Sequence, residues 1–219
     1  MTRYQSPIKI GLTGGIGSGK SAVSDELSNY PDIVIIDTDV ISRNLTSSEG
    51  LAIPALLGLV TAGHLPSEWI DQTTQQLNRA LVRQDCFTDP ALRLKLESVL
   101  HPLIRECAVL AAEKAQTQAS IKMIVFVVPL LIESGWWKKQ VDQIWVVDAP
   151  IEVQIQRIIA RSAHLATPIT RAEAQRIIKT QVSRDERLKH AHHIISNQSN
   201  LSALHQQVAG LMEAFHIAQ

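Results

Sequence analysis

The residues of this chain best suited to chemistry stand near its start, as Gly14-Gly15-Ile16-Gly17-Ser18-Gly19-Lys20-Ser21. Gly14, Gly19, Lys20 and Ser21 complete the spacing G-x-x-x-x-G-K-S/T. Glycines let successive backbone N–H groups turn toward one anion without Cβ clashes. A helix beginning at Lys20 adds the positive end of its dipole to the same point. In such a loop the lysine reaches the β- and γ-phosphates and the serine hydroxyl ligates Mg²⁺. The spacing therefore implies a bound nucleoside triphosphate.

Further polar residues fall where strands should end. Asp37-Thr38-Asp39 closes an apolar run, and in an open α/β sheet ligands gather at the carboxyl ends of strands. Two carboxylates there can take a proton from an acceptor hydroxyl or hold Mg²⁺ through water, and one of them can cap the next helix. Glu133 closes the run Val128 to Ile132 and suits either a Mg²⁺- or water-orienting role or a solvated carboxylate beginning a surface loop. Trp136-Trp137 can stack a base or pack in the core. Arg157 and Arg161 are four apart on one helical face, an arrangement that repels unless an anion lies between them. From Arg157 to Lys189 there are eight basic and three acidic residues, which suggests a surface closing over polyphosphate. His190, His192 and His193 have no partnering cysteine or carboxylate spacing and read as bystanders.

The elements that must position these groups follow a βαβ rhythm. Ile8 to Leu12, Ile33 to Ile36, Ile121 to Val128 and Gln143 to Val147 are short, β-branched apolar runs, as in strands buried on both faces. His192 to Ser196 is a weaker fifth candidate. Helical stretches separate them, so the expected fold class is α/β: a P-loop parallel sheet flanked by helices, with a helical insertion and a lid. The insertion, 40–119, contains helical runs over Leu51 to Ala62, Trp69 to Phe87 and Pro90 to Ala119, the last interrupted at His101-Pro102. The core is expected over 1–39, 120–161 and 190–219. The lid and its following helix take 162–189, opening with the proline-containing stretch Ser162 to Ile169, and Leu201 to Phe215 is the C-terminal helix.

Whole-chain properties narrow the class. With 219 residues the chain suits a single domain with inserted subdomains. Lys plus Arg and Asp plus Glu are both 21, so no net field draws the chain to nucleic acid or to an acidic membrane. The longest apolar run, Met123 to Ile132, is about half a membrane span and contains Pro129. The opening residues do not read as a secretory signal. Cys86 and Cys107 have no metal spacing and suit a reducing cytoplasm. No N-K-x-D segment and no D-x-x-G after a strand is present, which sets a GTPase switch aside.

Taken in order, GLTGGIGSGKS (Gly11 to Ser21), IIDTDVISR (Ile35 to Arg43), LHPLI (Leu100 to Ile104), VPLLIE (Val128 to Glu133), Gln156-Arg157 with Arg161, and QVSRDER (Gln181 to Arg187) resemble the dephospho-coenzyme A kinase family. The resemblance implies transfer of the ATP γ-phosphoryl group to the ribose 3′-hydroxyl of dephospho-coenzyme A. It implies ATP held by Gly15, Ile16, Gly17, Ser18, Gly19, Lys20, Ser21 and Ala22, with Mg²⁺ on Ser21. Asp39 would be the base, Lys20, Arg157 and Arg161 would serve the transferring charge, and Arg79 and His101 would shape the acceptor site. The chain departs from the family pattern at Ala22 (usually threonine), at Ser162 (often aspartate) and at Ile194-Ile195-Ser196-Asn197 (V-I-D-N).

Overall fold

The structure is a computed structural model that describes residues 6–71, 73–164 and 168–217. These form two compact units, one from the segments up to Ile36 and from Lys114 onward, the other Asp37–Glu113.

The first unit is built on a five-stranded parallel sheet. Its strands are β1 (Ile8–Thr13), β2 (Ile33–Asp37), β3 (Met123–Val127), β4 (Gln143–Asp148) and β5 (His193–Ser196), in the order β2-β3-β1-β4-β5. β1 pairs in parallel with β3 (Ile10 opposite Val125) and with β4 (Leu12 opposite Trp145). The strand order therefore reverses at β1, and the loop leaving its carboxyl end opens at the topological switch point. Burial follows this order: all of β3 is buried, whereas the edge strands β2 and β5 are partly open. The histidines that weaken the fifth run are accommodated because it is an edge. His192 Nδ1 accepts the Ile144 N–H at 3.1 Å, and the His193 ring packs against Trp145 and Phe215.

Helices α1 (Lys20–Leu27) and α9 (Leu201–Ala214) cover one face. Val23, Leu27, Leu204, Val208 and Met212 meet Ile10, Leu12, Val125, Trp145 and Val147 in one buried cluster. On the opposite side of β1, Leu131 lies so close to Gly11 that a Cβ there would collide with it. Trp137 is buried against Phe126, with ring centroids 5.7 Å apart, and takes the packing role of the two open for Trp136-Trp137. The unit is completed by α6 (Ile151–Ser162), α7 (Arg171–Lys179) and α8 (Arg184–Lys189).

The second unit contains α2 (Thr38–Leu45), α3 (Ile53–Thr61), α4 (Arg79–Thr88) and most of α5 (Pro90–Gln116). Its core gathers Leu45, Leu56, Trp69, Ile70, Val82, Leu96 and Leu100. The stretch expected to be helical from Trp69 is corrected: Ile70 bridges Leu77 in antiparallel fashion, and the helix begins only at Arg79, capped by Asn78. The expected break at His101-Pro102 is absent, since α5 runs through both residues. An internal proline costs a helix about 3 kcal/mol. Here Pro102 is exposed, so water can reach the carbonyl it leaves unbonded, while Leu96, Leu100, Leu103 and Ile104 keep the apolar stripe packed on both sides.

The outer edge of β5 is closed by a side chain. Gln207 of α9 accepts the Ser196 N–H at 2.9 Å and donates to its carbonyl at 2.8 Å, as a neighbouring strand would. Gln207→Ala should lower unfolding free energy by about 1–2 kcal/mol, read as a shifted urea midpoint at unchanged slope. An unmoved midpoint would show that solvent replaces the amide fully.

Candidate functional site

The glycine loop runs from the end of β1 to the start of α1. Gly17 and Gly19 have φ of 76° and 95°, a region that side-chain-bearing residues avoid. Gly19 is the N-cap of α1 and supplies no side-chain acceptor, so the first-turn N–H groups are not capped by their own residue. Ser18 N–H donates to the Gly15 carbonyl at 3.0 Å, and Lys20 Nζ arches back onto the Gly14 carbonyl at 2.8 Å. Among the described residues, Ser18 Oγ is the one buried side-chain polar atom without a hydrogen-bond partner.

What shapes the loop is the wall behind it. A nest of N–H groups can face an anion only if the intervening carbonyls point away and are satisfied there. Arg157 Nη1 donates to the Ser18 carbonyl at 3.2 Å and the Gly17 carbonyl at 3.4 Å. Its Nη2 reaches the Asn197 carbonyl at 3.0 Å, and Asn197 Nδ2 returns a 2.8 Å bond to the Ser18 carbonyl. Gln154, only 3 % exposed, is pinned through Nε2 to the Ala149 carbonyl and passes directly under the loop. A Cβ at Gly17 would stand 2.7 Å from the Gln154 carbonyl oxygen, and one at Gly19 would strike the Asn197 amide.

Arg157, expected to serve the transferring charge, is thus engaged in a supporting contact that this expectation did not include. Arg161, one turn further, is exposed and makes no hydrogen bond or ion pair among the described residues. The basic run beyond it divides in the same way. Arg171 pairs with Glu152, Lys189 with Glu186, and Arg184 is bidentate on Asp148 at 2.8 and 2.6 Å. These pairs hold the Glu152 carboxyl below, and the Arg184 guanidinium above, the ordinary range.

The expected lid, 162–189, is tied to the loop at its far end. Ile16 N–H donates to Gln181 Oε1 at 2.9 Å, and Val182 N–H donates to Glu133 Oε1 at 3.1 Å. Glu133 is exposed in the turn after β3, as the solvated-loop reading has it, and there accepts a backbone N–H. Ser162 is buried, and its hydroxyl accepts the Ile169 N–H at 2.9 Å, so it joins the two ends of the stretch read as a lid. Residues 165–167 of that stretch lie outside the described residues.

In the second unit the two aspartates separate. Asp37 Oδ1 accepts the N–H groups of Asp39 (2.7 Å) and Val40 (3.2 Å) and is the cap of α2. Asp39 stands exposed in the first turn of α2. Arg79 ties down the other end of that helix, with Nη2 on the Arg43 carbonyl at 2.7 Å and on Thr46 Oγ1 at 3.0 Å. His101 is exposed midway along α5. Gln154, Gln181, Arg187 and Asn197 were not among the expected site residues, although Gln181, Arg187 and Asn197 lie inside motifs already marked.

A parallel sheet whose central strand delivers a braced glycine-lysine loop at the switch point is the architecture of the P-loop kinases. The sequence profile described as dephospho-CoA kinase matches residues 8–203. A dephospho-CoA kinase of Burkholderia pseudomallei is 40% identical over 207 residues, 94% of each chain. A crystal structure from Thermus thermophilus superposes with a TM-score of 0.74 at 26% identity, covering 96% of this chain and 98% of that one. The dephospho-CoA kinase of Campylobacter jejuni shares the fold at a TM-score of 0.61 and 17% identity, covering 94% and 96%. The chain belongs to the dephospho-CoA kinase family.

The bracing makes a measurable claim. Asn197→Ala deprives the buried Ser18 carbonyl of its amide donor and should lower stability by about 1–3 kcal/mol. The dissociation constant for ATP, measured by calorimetry, should rise several-fold. Unchanged ATP affinity would mean that the loop keeps its shape without this support.

Proposed function

We propose that this protein transfers the γ-phosphoryl group of ATP to the ribose 3′-hydroxyl of dephospho-coenzyme A, giving coenzyme A and ADP. The observation that carries the reading is the family match across residues 8–203. The built phosphate loop supports it, because phosphoryl transfer asks a protein chiefly for alignment and charge stabilisation.

In this reading the N–H groups of Gly15, Gly17 and Gly19 through Ala22 serve the phosphates, with Lys20 bridging to the transferring group, while Ser18 N–H stays on the Gly15 carbonyl within the loop. Ile16 N–H is already held by Gln181, so the part of Ile16 is to fix the loop. Asp39 takes the proton of the 3′-hydroxyl, and Asp37, being the helix cap, is left out of that role. Arg161 supplies positive charge to the moving phosphoryl group, while Arg157 acts through the carbonyls that it holds. Arg79 steadies α2, on which Asp39 sits, and His101 serves the acceptor from α5.

Mg²⁺ fits the residues present. The Ser21 side chain is exposed in the first turn of α1, and no cluster of three His, Cys, Asp or Glu among the described residues forms a dedicated cage. That composition suits a cation bound mainly by nucleotide oxygens and water with a single protein hydroxyl. When bound, Mg²⁺ neutralises charge on the β- and γ-phosphate oxygens. We place the activity in the cytoplasm, in keeping with two unpaired cysteines, and no helix of the described residues is long and apolar enough to cross a membrane.

The assay is ADP release with and without dephospho-coenzyme A. Release only with the acceptor, together with coenzyme A formation, supports the reading; release without it makes the chain an ATPase, and none makes it a silent relative. Asp39→Asn should cut kcat by about 100-fold or more with ATP affinity unchanged, and near-normal turnover would remove Asp39 as base. Lys20→Ala should lose transfer altogether. Arg161→Ala should lower kcat more than it raises KM for dephospho-coenzyme A, and an effect confined to KM would make it a docking residue.

A further inference from the structure

Arg187 is the one Lys or Arg side chain among the described residues that is fully withdrawn from the surface, at 6 % exposure. Burying a guanidinium is costly unless its charge and its donors are used. Its hydrogen bonding, however, is sparse. Nη2 donates to the Val182 carbonyl at 3.0 Å, and neither Nε nor Nη1 has a hydrogen-bond partner among the described residues. These two nitrogens are not sealed off, because among the described residues Ser18 Oγ is the only enclosed side-chain nitrogen or oxygen left without a bond. The guanidinium also has two carboxylates in its field, Glu133 and Asp148. Each is already committed, Glu133 to the Val182 N–H and Asp148 to the bidentate Arg184. Burial pushes the Arg187 pKa down and these acids push it up, but an arginine stays charged in either case.

The place to which it opens is specific. Arg187 Nη1 would stand 3.3 Å from a Cβ on Gly15, inside the phosphate loop. Arg187 also lines a pocket of about 280 Å³ with Gln154, Lys179, Gln181 and Arg184; of these Gln154 and Gln181 touch the loop, but none of the loop residues themselves is in the lining. Gln181 sets the spacing of this wall by hooking the Ile16 N–H, and the Arg184–Asp148 pair fixes the start of α8. Arg187 is held beside the loop by packing.

We propose that Arg187 is a phosphate-contacting residue of the transfer reaction, reaching the terminal phosphoryl group of the bound triphosphate from its place beside Gly15. This rests on the kinase reading given above, but the nucleotide half of it requires no acceptor. A fixed cation at that point needs no reorganisation as charge shifts during transfer, which is where preorganised donors act most strongly.

The test uses the full chain with Arg187→Met, which keeps length and apolar volume, and with Arg187→Lys, which keeps charge. ATP, ADP and AMP affinities are measured by calorimetry, and transfer is followed in a single turnover. For Arg187→Met the preference for ATP over ADP should fall by about tenfold, with AMP binding unchanged, and the single-turnover rate should fall by about 100-fold. Arg187→Lys should recover part of both. A Met variant with undiminished ATP preference and rate overturns the proposal. So does an equal loss for all three nucleotides, which would mark Arg187 as a strut of the loop. Should the Met variant not fold, the Lys variant decides alone: a reduced ATP-over-ADP ratio supports the contact, and a wild-type ratio refutes it. Failure of the dephospho-coenzyme A assignment would look different, as ATP binding by the wild-type chain with no acceptor-dependent ADP.

Discussion

An anion nest has a back as well as a front, and here the back decides the shape. Each peptide that turns its N–H inward sends its carbonyl outward, where an unpaired buried carbonyl would cost about 1–3 kcal/mol. The Arg157 guanidinium and the Asn197 amide take up the carbonyls of Gly17 and Ser18, from α6 and from the end of β5. Because the Gln154 backbone lies against Gly17 and the Asn197 amide against Gly19, the loop has no room for side chains at either position. The glycines of the motif are thus required twice, for their backbone angles and for the proximity of this wall. Even a departure from the family pattern is consistent with this constraint. Ser196 replaces the usual aspartate, but the residue that holds the loop is Asn197, and it is retained.

The sheet order explains why the supports come from distant parts of the chain. β1 is central, with β3 on one side and β4 on the other, so everything leaving the carboxyl ends of β3 and β4 must pass the loop. Glu133 and Leu131 follow β3, Asp148 ends β4, Gln154 and Arg157 follow it, and Asn197 follows β5. Separations of 139 to 179 residues are bridged by single hydrogen bonds because parallel strands end on the same edge. Little of this bracing can form before the sheet does. The motif can be read locally, but its geometry depends on the whole sheet.

That dependence sets what the sequence could disclose. The runs of β1, β3 and β4 were legible because burial on both faces writes a continuous apolar string, that of β2 because it stays apolar although it is an edge, and the loop because its spacing is rigid. Gln154 left no mark, since an amide in a helical pattern looks the same whether it lies in solvent or beneath Gly17. The role of Asp37 against that of Asp39 was undecidable, because it turns on the helix starting at Thr38 and not two residues later. Pro102 misled for a related reason. The local rule against an internal proline is worth about 3 kcal/mol, and packing along the α5 stripe on both sides of it outweighs that. Gln207 closing a strand edge and Ser162 joining a loop are likewise tertiary facts with no local signature.

The basic run after β4 shows how a single compositional signal can hold several physical uses. A net positive segment was read as one surface facing polyphosphate. Three of its cations instead neutralise acids of their own unit: Arg171, Arg184 and Lys189. Arg157 is engaged with carbonyls, and Arg187 is buried with donors unused beside Gly15. Arg161 and Lys179 have no bonded partner among the described residues. A charge that already has its acid adds little field for a ligand, since the pair is nearly neutral at a few ångströms. The electrostatic attraction for a triphosphate must therefore come from the minority that keep unused donors. Of these, the buried one loses least on binding, because its side-chain entropy was lost on folding. The same logic applies to the far end of the stretch expected to form a lid. Gln181, Val182 and Arg184 are fastened to Ile16, Glu133 and Asp148, so the stretch from 181 to 187 belongs with the wall of the loop.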